Sequence, residues 1–382
     1  MNKSEELLIT FIRSQVFADK IALPNNIDEH LEKIWDLASK HSLTTIVSSA
    51  MIQYNDISDD TKRFFSSNIF TNLCKSEKQD YELTKICELL CNKKIYHIPL
   101  KGSVIKNLYP QKWMRTSCDI DILIHDEDMD RTIDFLVNNL SYRVGEKCLH
   151  DISLYSPSNV HIELHYKLVE DERLKSNLLD DVWKHTYSEK NNDYTLRMTD
   201  EMFYYYHIAH MAKHFKSNGF GIRHLIDMWI LNRYIEYDRT KRDFLLEKGN
   251  LKKFENALYN LCEILFDNKP SDELSDIFID YIFNSGTYGS LYNNIALNRM
   301  NNKKSNLKYY IQRIFMPYNQ LKTLYPSLEN KKILYAFYCV KRWLRILFYN
   351  NHKTVVNEFQ TNSSLNNRKM KIIEEIYKKV DL

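Results

Sequence analysis

Three acidic residues lie in patterns that could hold divalent metal ions. Asp119 and Asp121 are separated by one residue in an otherwise aliphatic segment, and side chains two residues apart on a β-strand point to the same face. Glu163 lies in a second aliphatic segment, between Ile162 and Leu164. Mg²⁺ prefers oxygen ligands, and two such ions about 3.5–4 Å apart can neutralise the charge that develops during phosphate-group transfer. Together the acids predict a metal site, although an isolated Asp-x-Asp is more often a strand edge or cap.

A Gly-Ser pair upstream of the acids is suited to phosphate binding. Gly102 and Ser103 follow a strand-like segment at 95–100 and precede a short helical segment at 104–109. Glycine lets the backbone approach a phosphate closely, and the amide groups at a helix N-terminus attract anions. We therefore expect both residues to bind phosphate.

Two basic residues near these motifs leave alternatives open. Lys101 either contacts a phosphate or simply extends its ammonium group from the end of the strand into solvent. Arg115 either binds a phosphate or forms a salt bridge that braces the acidic pair, and bracing is slightly favoured.

Three histidines share one face of a predicted helix. At about 100° per residue, His207, His210 and His214 lie within roughly 60° of one another. Such a face could bind a metal with His224 or Asp227, contact a nucleotide or acceptor, or be structural. The glutamate of a His-Glu-x-x-His zinc motif is absent. We expect at least two of these histidines, His210 and His214 above all, to line one pocket with Asp119 and contact the nucleotide or acceptor.

The elements that must position these residues predict an α+β fold. Residues 1–93 have a helical pattern, 94–198 form a small core with a mixed sheet, and 199–382 are helical again. The predicted strands are 95–100 and 119–124, followed by a hairpin of 151–155 and 160–168. Predicted helices are 61–92, 128–140, 220–236, 241–266, 271–284, 305–316 and 331–349.

The composition and net charge of the chain limit the classes of protein to which it can belong and the kinds of partner that it is expected to bind. The 382 residues include 7 glycines and 7 prolines, which favours long helices over many short strands, and the formal net charge is only +3. This mild charge does not resemble that of a dedicated duplex-DNA-binding protein. The 7 cysteines form no Cys-x-x-Cys pair. Cys87 and Cys91 are spaced i, i+4 on a predicted helix, but no further His or Cys ligands lie near them in the sequence, which argues against a zinc site there. We expect reduced thiols, a cytoplasmic location and no transmembrane segment.

The predicted helix at 331–349 combines apolar residues with lysines and arginines. This pattern could place the helix on a membrane surface. A helix packed in a bundle, with lysine side chains extending to solvent, is the favoured interpretation.

The order of these motifs resembles the nucleotidyltransferases of the DNA polymerase β-like superfamily. Leu100-Lys101-Gly102, Tyr109-Pro110, Asp119-Ile120-Asp121 and Glu163-Leu164-His165-Tyr166 are similar to a bacterial family of uncharacterised nucleotidyltransferases. The pair His210 and His214, the segment 223–227, and a tail with Tyr325-Pro326 and Arg342 extend the resemblance over roughly residues 75–350. Glu163 departs from the pattern, since an aspartate is commoner at this position.

The resemblance implies transfer of a nucleoside monophosphate from a nucleoside triphosphate (NTP) such as ATP to a hydroxyl or phosphate acceptor, with Mg²⁺ or Mn²⁺. It implies that Asp119 and Asp121 hold the metals, and that Glu163 holds the catalytic metal and helps to deprotonate the acceptor. Gly102 and Ser103 would bind the β- and γ-phosphates. No feature of the sequence identifies the acceptor or the oligomeric state.

Two other functions remain open. One is a catalytically silent nucleotidyltransferase-like binding protein, such as an antitoxin or assembly partner; the presence of all three acids argues against it. The other is an RNA-tailing enzyme, which would need a basic or aromatic groove that the sequence does not make evident.

Because like charges crowd the predicted site, we also expect Asp121→Asn to raise the stability of the metal-free protein slightly.

Overall fold

The computed structural model describes residues 1–382 apart from 20–26, 55–56, 149, 169–176, 190–191, 288, 302–305, 330, 349–351 and 365–366. Helices form most of the described chain, and they surround a single mixed sheet. The predicted α+β class is therefore confirmed.

The described residues before the sheet form four helices, in a region for which the sequence predicts helical structure. The longest, α4, begins after Ser58, whose side chain accepts a hydrogen bond from the Thr61 amide, while Asp59 and Asp60 suit the positive end of the helix dipole. These helices are α1 (Lys3–Val16), α2 (Asp28–Lys40), α3 (Thr44–Met51) and α4 (Asp59–Asn92).

The sheet has seven strands in the order β3-β4-β5-β2-β1-β7-β6. The helix α5 (Gly102–Ile105) follows β1, and α6 (Met129–Leu140) follows β2. The predicted hairpin is present as β4 and β5, which pair antiparallel, whereas β3, β6 and β7 were not predicted. The strands are β1 (His97–Pro99), β2 (Asp119–Ile124), β3 (Arg143–Lys147), β4 (Asp151–Tyr155), β5 (His161–His165), β6 (Thr186–Glu189) and β7 (Asn192–Met198).

Strands β2 and β5 are parallel neighbours at the centre of the sheet. Their register pairs Asp121 with Glu163 and Ile122 with Leu164. Because side chains alternate along a strand, the isoleucines of β2 share one face with Ile162 and Leu164 of β5, where they are buried in an apolar core with α4 and α6. The acidic residues of both strands consequently share the opposite face.

The remainder of the described chain is helical. The segment predicted as one helix at 241–266 is two helices, because Gly249 ends the first and Asn250 takes a φ of 56°. The helices are α7 (Asp200–Ser217), α8 (Ile222–Tyr234), α9 (Arg239–Lys248), α10 (Lys252–Phe266), α11 (Glu273–Ser285), α12 (Leu291–Asn301), α13 (Asn306–Ile314), α14 (Tyr318–Leu324), α15 (Tyr335–Phe348), α16 (His352–Ser364) and α17 (Asn367–Val380).

One large apolar core joins helices from both ends of the chain. It includes Leu8 and Phe11 of α1, Phe215 of α7 and Phe254 of α10, all fully buried. Among the described helices, none combines the length and the apolar character needed to cross a membrane.

Helix α15 packs through one side only. Cys339 is buried on that side against Leu321 of α14, and the buried Arg342 donates to the Arg313 carbonyl oxygen of α13. The other side exposes Phe337, Val340 and Leu344. The favoured interpretation of a packed helix therefore applies to the buried side of α15 and not to its exposed side.

A buried ion pair ties the segment before β2 to α8. Arg115 Nη2 donates to Asp227 Oδ2 at 2.9 Å, and the Tyr109 hydroxyl donates to Asp227 Oδ1 at 2.8 Å. Asp227 is fully buried, so these donors replace the water that its charge loses on folding. The network fixes the approach to β2 against the helical half of the molecule.

We predict that Asp227→Asn lowers the free energy of unfolding by about 3–5 kcal/mol, because it leaves the buried Arg115 guanidinium without its counter-charge. Denaturant unfolding followed by circular dichroism measures this. Asp60→Asn is the control, since Asp60 pairs with Arg63 at an exposed site, where ion pairs contribute little. Equal effects of the two substitutions would contradict the role of the buried pair.

Candidate active site

A cavity of about 350 Å³ lies between the acidic face of the sheet and the helices α7 and α8. Its lining includes eight of the nine candidate site residues predicted from the sequence. These are Lys101, Gly102, Arg115, Asp119, Asp121, Glu163, His210 and His214.

The three predicted acids converge in this cavity. Carboxylate oxygens of Asp119 and Glu163 lie within 4.8 Å of each other, and so do those of Asp121 and Glu163. The parallel register explains this convergence, since it sets Asp121 beside Glu163 and Asp119 beside His161. Local strand geometry thus concentrates three carboxyl groups at one place.

Asp121 lies between two basic side chains. Its Oδ1 accepts hydrogen bonds from Lys101 Nζ and from His165 Nε2, each at 2.7 Å. Burial alone would raise the pKa of Asp121, but Lys101 and His165 outweigh it and hold that pKa well below its usual range. Lys101 is therefore neither a free strand-end lysine nor, in this state, a phosphate ligand.

The other two acids differ from Asp121 in their electrostatic surroundings. Burial, followed by the charges of Asp121 and Glu163, raises the pKa of Asp119. The hydrogen bond with His165 is the main cause that lowers the pKa of Glu163. The structure favours the opposite of the stabilisation expected for Asp121→Asn, because Lys101 and His165 compensate Asp121, whereas the repulsion from Asp121 and Glu163 acts on Asp119.

The adjacent residues Gly102 and Ser103, at the start of α5, line different cavities. Gly102 lines the cavity, and a Cβ atom there would lie 2.7 Å from Arg115 Nη1, so the glycine makes room for a guanidinium group. Ser103 instead lines a depression with Thr84 and Arg197, outside this cavity. The helical turn at Gly102–Ile105 points successive side chains in different directions, and Ser103 is thereby directed away from the acids.

Arg115 braces Asp227 and not the acidic pair. Its Nε and Nη2 atoms both contact the Asp227 carboxylate, and Nη1 donates to the Thr116 carbonyl oxygen. The bracing partner expected from the sequence is therefore corrected, because the fully buried Asp227 needs the counter-charge more than the partly buried Asp119 does.

All three histidines of the predicted face line the cavity with Asp119. His207 is buried and its Nε2 contacts the His224 carbonyl oxygen at 3.4 Å. His210 and His214 contact each other through their Nε2 atoms at 3.0 Å. The face thus divides into one histidine bound to the backbone and a pair that contacts itself.

Two further residues of the site were missed as site residues. His165 bonds Asp121 and lies 3.5 Å from Glu163, and His161 groups with Asp119 and Glu163. Both stand two residues from Glu163, so the alternation of side chains along β5 was a signal that could have found them.

The donor set suits a hard divalent cation. Three carboxyl groups supply oxygen ligands, which Mg²⁺ and Mn²⁺ prefer, and each lies at the cavity. Lys101 already holds one positive charge against Asp121. A metal cation bound by these acids would therefore take over the role of the Lys101 ammonium group, which neutralises part of their negative charge.

A mixed sheet with clustered carboxylates on one face is an arrangement suited to phosphate-group transfer. The model of the uncharacterised nucleotidyltransferase family matches residues 28–267, and the chain belongs to this family. The match begins at α2 and ends after α10, so Tyr325, Pro326 and Arg342 lie beyond it.

Comparison with solved structures found the solution structure of the antibiotic-resistance factor ANT(2'')-Ia. It has 11% sequence identity over 51% of this chain and 100% of that chain, with a TM-score of 0.35. No curated protein matches the chain.

We predict opposite effects of two substitutions on the metal-free protein. Asp121→Asn should lower the free energy of unfolding by about 1–3 kcal/mol, because it weakens two charged hydrogen bonds. Asp119→Asn should raise it slightly, because it removes a carboxylate whose ionised form is disfavoured. Denaturation at neutral pH with a chelator present measures both.

The pH dependence follows from the signs of the shifts. A depressed pKa stabilises the fold above the unfolded value of about 3.9 and is lost only as the pH falls through the folded value. The contribution of Asp121 is thus complete at neutral pH. A raised pKa has the reverse effect, so the destabilisation by Asp119 grows as the pH rises from the unfolded pKa through the folded pKa. Stabilisation by Asp121→Asn would contradict this account.

Proposed function

We propose that the chain transfers a nucleoside monophosphate from an NTP to an acceptor, with Asp119, Asp121 and Glu163 as ligands of two Mg²⁺ ions. The observation that carries this proposal is that the three carboxylates share one face of the sheet, where an oxygen of Asp119 and an oxygen of Asp121 each lie within 4.8 Å of an oxygen of Glu163. Membership of a nucleotidyltransferase family supports the same reaction class.

The proposed reaction forms one bond and breaks one. The acceptor oxygen bonds to the α-phosphorus, the bond from that phosphorus to the α,β-bridging oxygen breaks, and pyrophosphate leaves with the electron pair. Bound Mg²⁺ would neutralise the charge on the attacking and leaving oxygens. When the acceptor is a hydroxyl group, its proton passes to Glu163, whose lowered pKa keeps this carboxyl group ionised.

Several cationic side chains in the same cavity support binding of a triphosphate. Lys101, Lys213 and Arg223 all line it. In the proposal, Lys101 has two states: it neutralises Asp121 when no cation is bound, and it turns to a phosphate oxygen when Mg²⁺ takes its place. Gly102 contributes the room that the Arg115 guanidinium needs beside this site. Ser103 has no role in this proposal.

The histidine face supports an acceptor-side role in the same cavity. His210 and His214 border it opposite the sheet, where their ring N–H groups could donate to an oxygen of the nucleotide or acceptor.

Product analysis by mass spectrometry tests the reaction. The full chain is incubated with each NTP, Mg²⁺ and a metabolite extract or RNA. We expect a product heavier by a nucleoside monophosphate, together with pyrophosphate. Asp119→Asn, Asp121→Asn and Glu163→Gln should each lower the rate by roughly 10²–10⁴-fold, because metal ligation supplies several kcal/mol to the transition state.

Asp130→Asn is the matched control, since Asp130 is an exposed aspartate on α6. It should leave the rate unchanged. Tailed RNA as the product would identify the RNA-tailing alternative. If no NTP is consumed with any acceptor while NTP still binds, the proposal fails and the silent binding protein replaces it.

The two-state role of Lys101 gives a separate prediction. Lys101→Met should tighten binding of Mn²⁺ to the NTP-free protein, because it removes the ammonium group that competes for Asp121. The same substitution should weaken NTP binding in the presence of metal, because it removes a phosphate contact. Electron paramagnetic resonance of free Mn²⁺ and nucleotide titration measure the two affinities.

Lys112→Met serves as the control, because Lys112 is exposed and pairs with Asp80. Neither affinity should change in this variant. Weaker Mn²⁺ binding by Lys101→Met would show that Lys101 supports the metal site instead of competing with the cation.

A further inference from the structure

A cluster of three histidines lies in the cavity apart from the acid-binding histidines. His210 and His214 come from successive turns of α7, and His224 comes from α8. One ring nitrogen from each lies within 4.8 Å of the others. No carboxylate belongs to this set, so its donors differ from the oxygen donors at Asp119, Asp121 and Glu163.

The geometry of the pair on α7 is close to that of two metal ligands. Two nitrogens bound to one tetrahedral Zn²⁺ at 2.0–2.1 Å lie about 3.3 Å apart. The Nε2 atoms of His210 and His214 are separated by 3.0 Å. Histidines at i and i+4 of a helix are also the spacing that zinc sites use to place two imidazoles on one ion.

The third ring leaves hydrogen-bonding capacity unused. Nδ1 of His224 is buried and has no hydrogen-bond partner among the described residues. A buried polar atom without a partner is costly, and histidine rings commonly find that partner in a metal ion or in a group that orients the ring.

Burial of the three rings favours their neutral form. Burial lowers the pKa of His214 to about 4, and it places the pKa values of His210 and His224 well below the usual range. Neutral imidazole is the metal ligand. For both Nε2 atoms to bind one ion, the histidine that donates in the contact between His210 and His214 must move that proton to its other ring nitrogen.

We propose that His210, His214 and His224 form a nitrogen-ligand site for a transition-metal ion, with Zn²⁺ as the best match. Imidazole suits zinc, whereas Mg²⁺ prefers oxygen. Three protein ligands leave a tetrahedral zinc ion one position for an oxygen ligand such as water, a phosphate or an acceptor hydroxyl. The site goes beyond the proposed transfer reaction, and its existence does not depend on that reaction.

Metal titration of the full chain tests this site. The protein is stripped with a chelator and titrated with Zn²⁺, and with Co²⁺ as a spectroscopic probe, in the presence of excess Mg²⁺. We expect a single equivalent of Zn²⁺ to bind, and Co²⁺ to give the visible absorption of a tetrahedral nitrogen-bound ion. His210→Gln and His214→Gln should each weaken binding by more than roughly 100-fold, since second-shell changes alone give about 10–100-fold.

Two controls separate this site from others in the chain. His30→Gln, on α2 outside the cavity lining, should bind Zn²⁺ as the unsubstituted protein does. Asp119→Asn should also retain it. Loss of Zn²⁺ in Asp119→Asn together with retention in both histidine variants would assign the ion to the acids and overturn the proposal.

X-ray absorption of the zinc-loaded, unsubstituted protein keeps the proposal testable if the histidine variants fail to fold. Three imidazole ligands are expected around the ion. Fewer than three imidazoles, or no zinc bound above the level of the buffer, would overturn the site. Neither measurement requires NTP or an acceptor, so failure here leaves the transfer reaction untouched.

Discussion

The parallel pairing of β2 with β5 is the constraint on which the site depends. It places Asp121 beside Glu163 and leaves Asp119 one pleat away on the same face. Aliphatic residues on the other face hold this register, because a slip of one residue would bury the acids in the apolar core. The register between β2 and β5 is thus the common cause of the buried apolar face of the sheet and of the concentration of negative charge on its other face.

That concentration of charge requires compensation within the protein. Lys101 and His165 supply it at Asp121, while burial and the charges of Asp121 and Glu163 raise the pKa of Asp119. Lys101 performs this role from a strained backbone, with a φ of 44° in the region that favours glycine. Strain held beside clustered carboxylates is typical of a site arranged for binding and not for stability alone.

The second wall of the cavity depends on a different buried pair. Arg115 and Asp227 connect the approach to β2 with α8, and α8 packs with α7 in the large apolar core. The histidines therefore face the acids because the two halves of the molecule are joined by charge as well as by apolar contact.

Much of this arrangement could be predicted from short-range patterns. The Asp-x-Asp strand, the hairpin and the long helix α4 each carry a clear periodicity. Strand β3 does not, because Arg143–Lys147 is an exposed edge without an apolar face. The partner of Arg115 could not be predicted either: Asp227 is more than a hundred residues away in sequence, and only the packing of α8 brings it close. Ser103 was misplaced because its direction depends on one turn of helix, which sequence spacing does not specify.

A crystal structure with Mn²⁺ and a non-hydrolysable NTP analogue tests the central claim most directly. Anomalous scattering locates the manganese ions without assumption about their ligands. The account predicts two peaks about 3.5–4 Å apart, among the carboxylates of Asp119, Asp121 and Glu163, with the triphosphate beside them and Lys101 turned away from Asp121. A nucleotide bound elsewhere, or no manganese at these carboxylates, would contradict it.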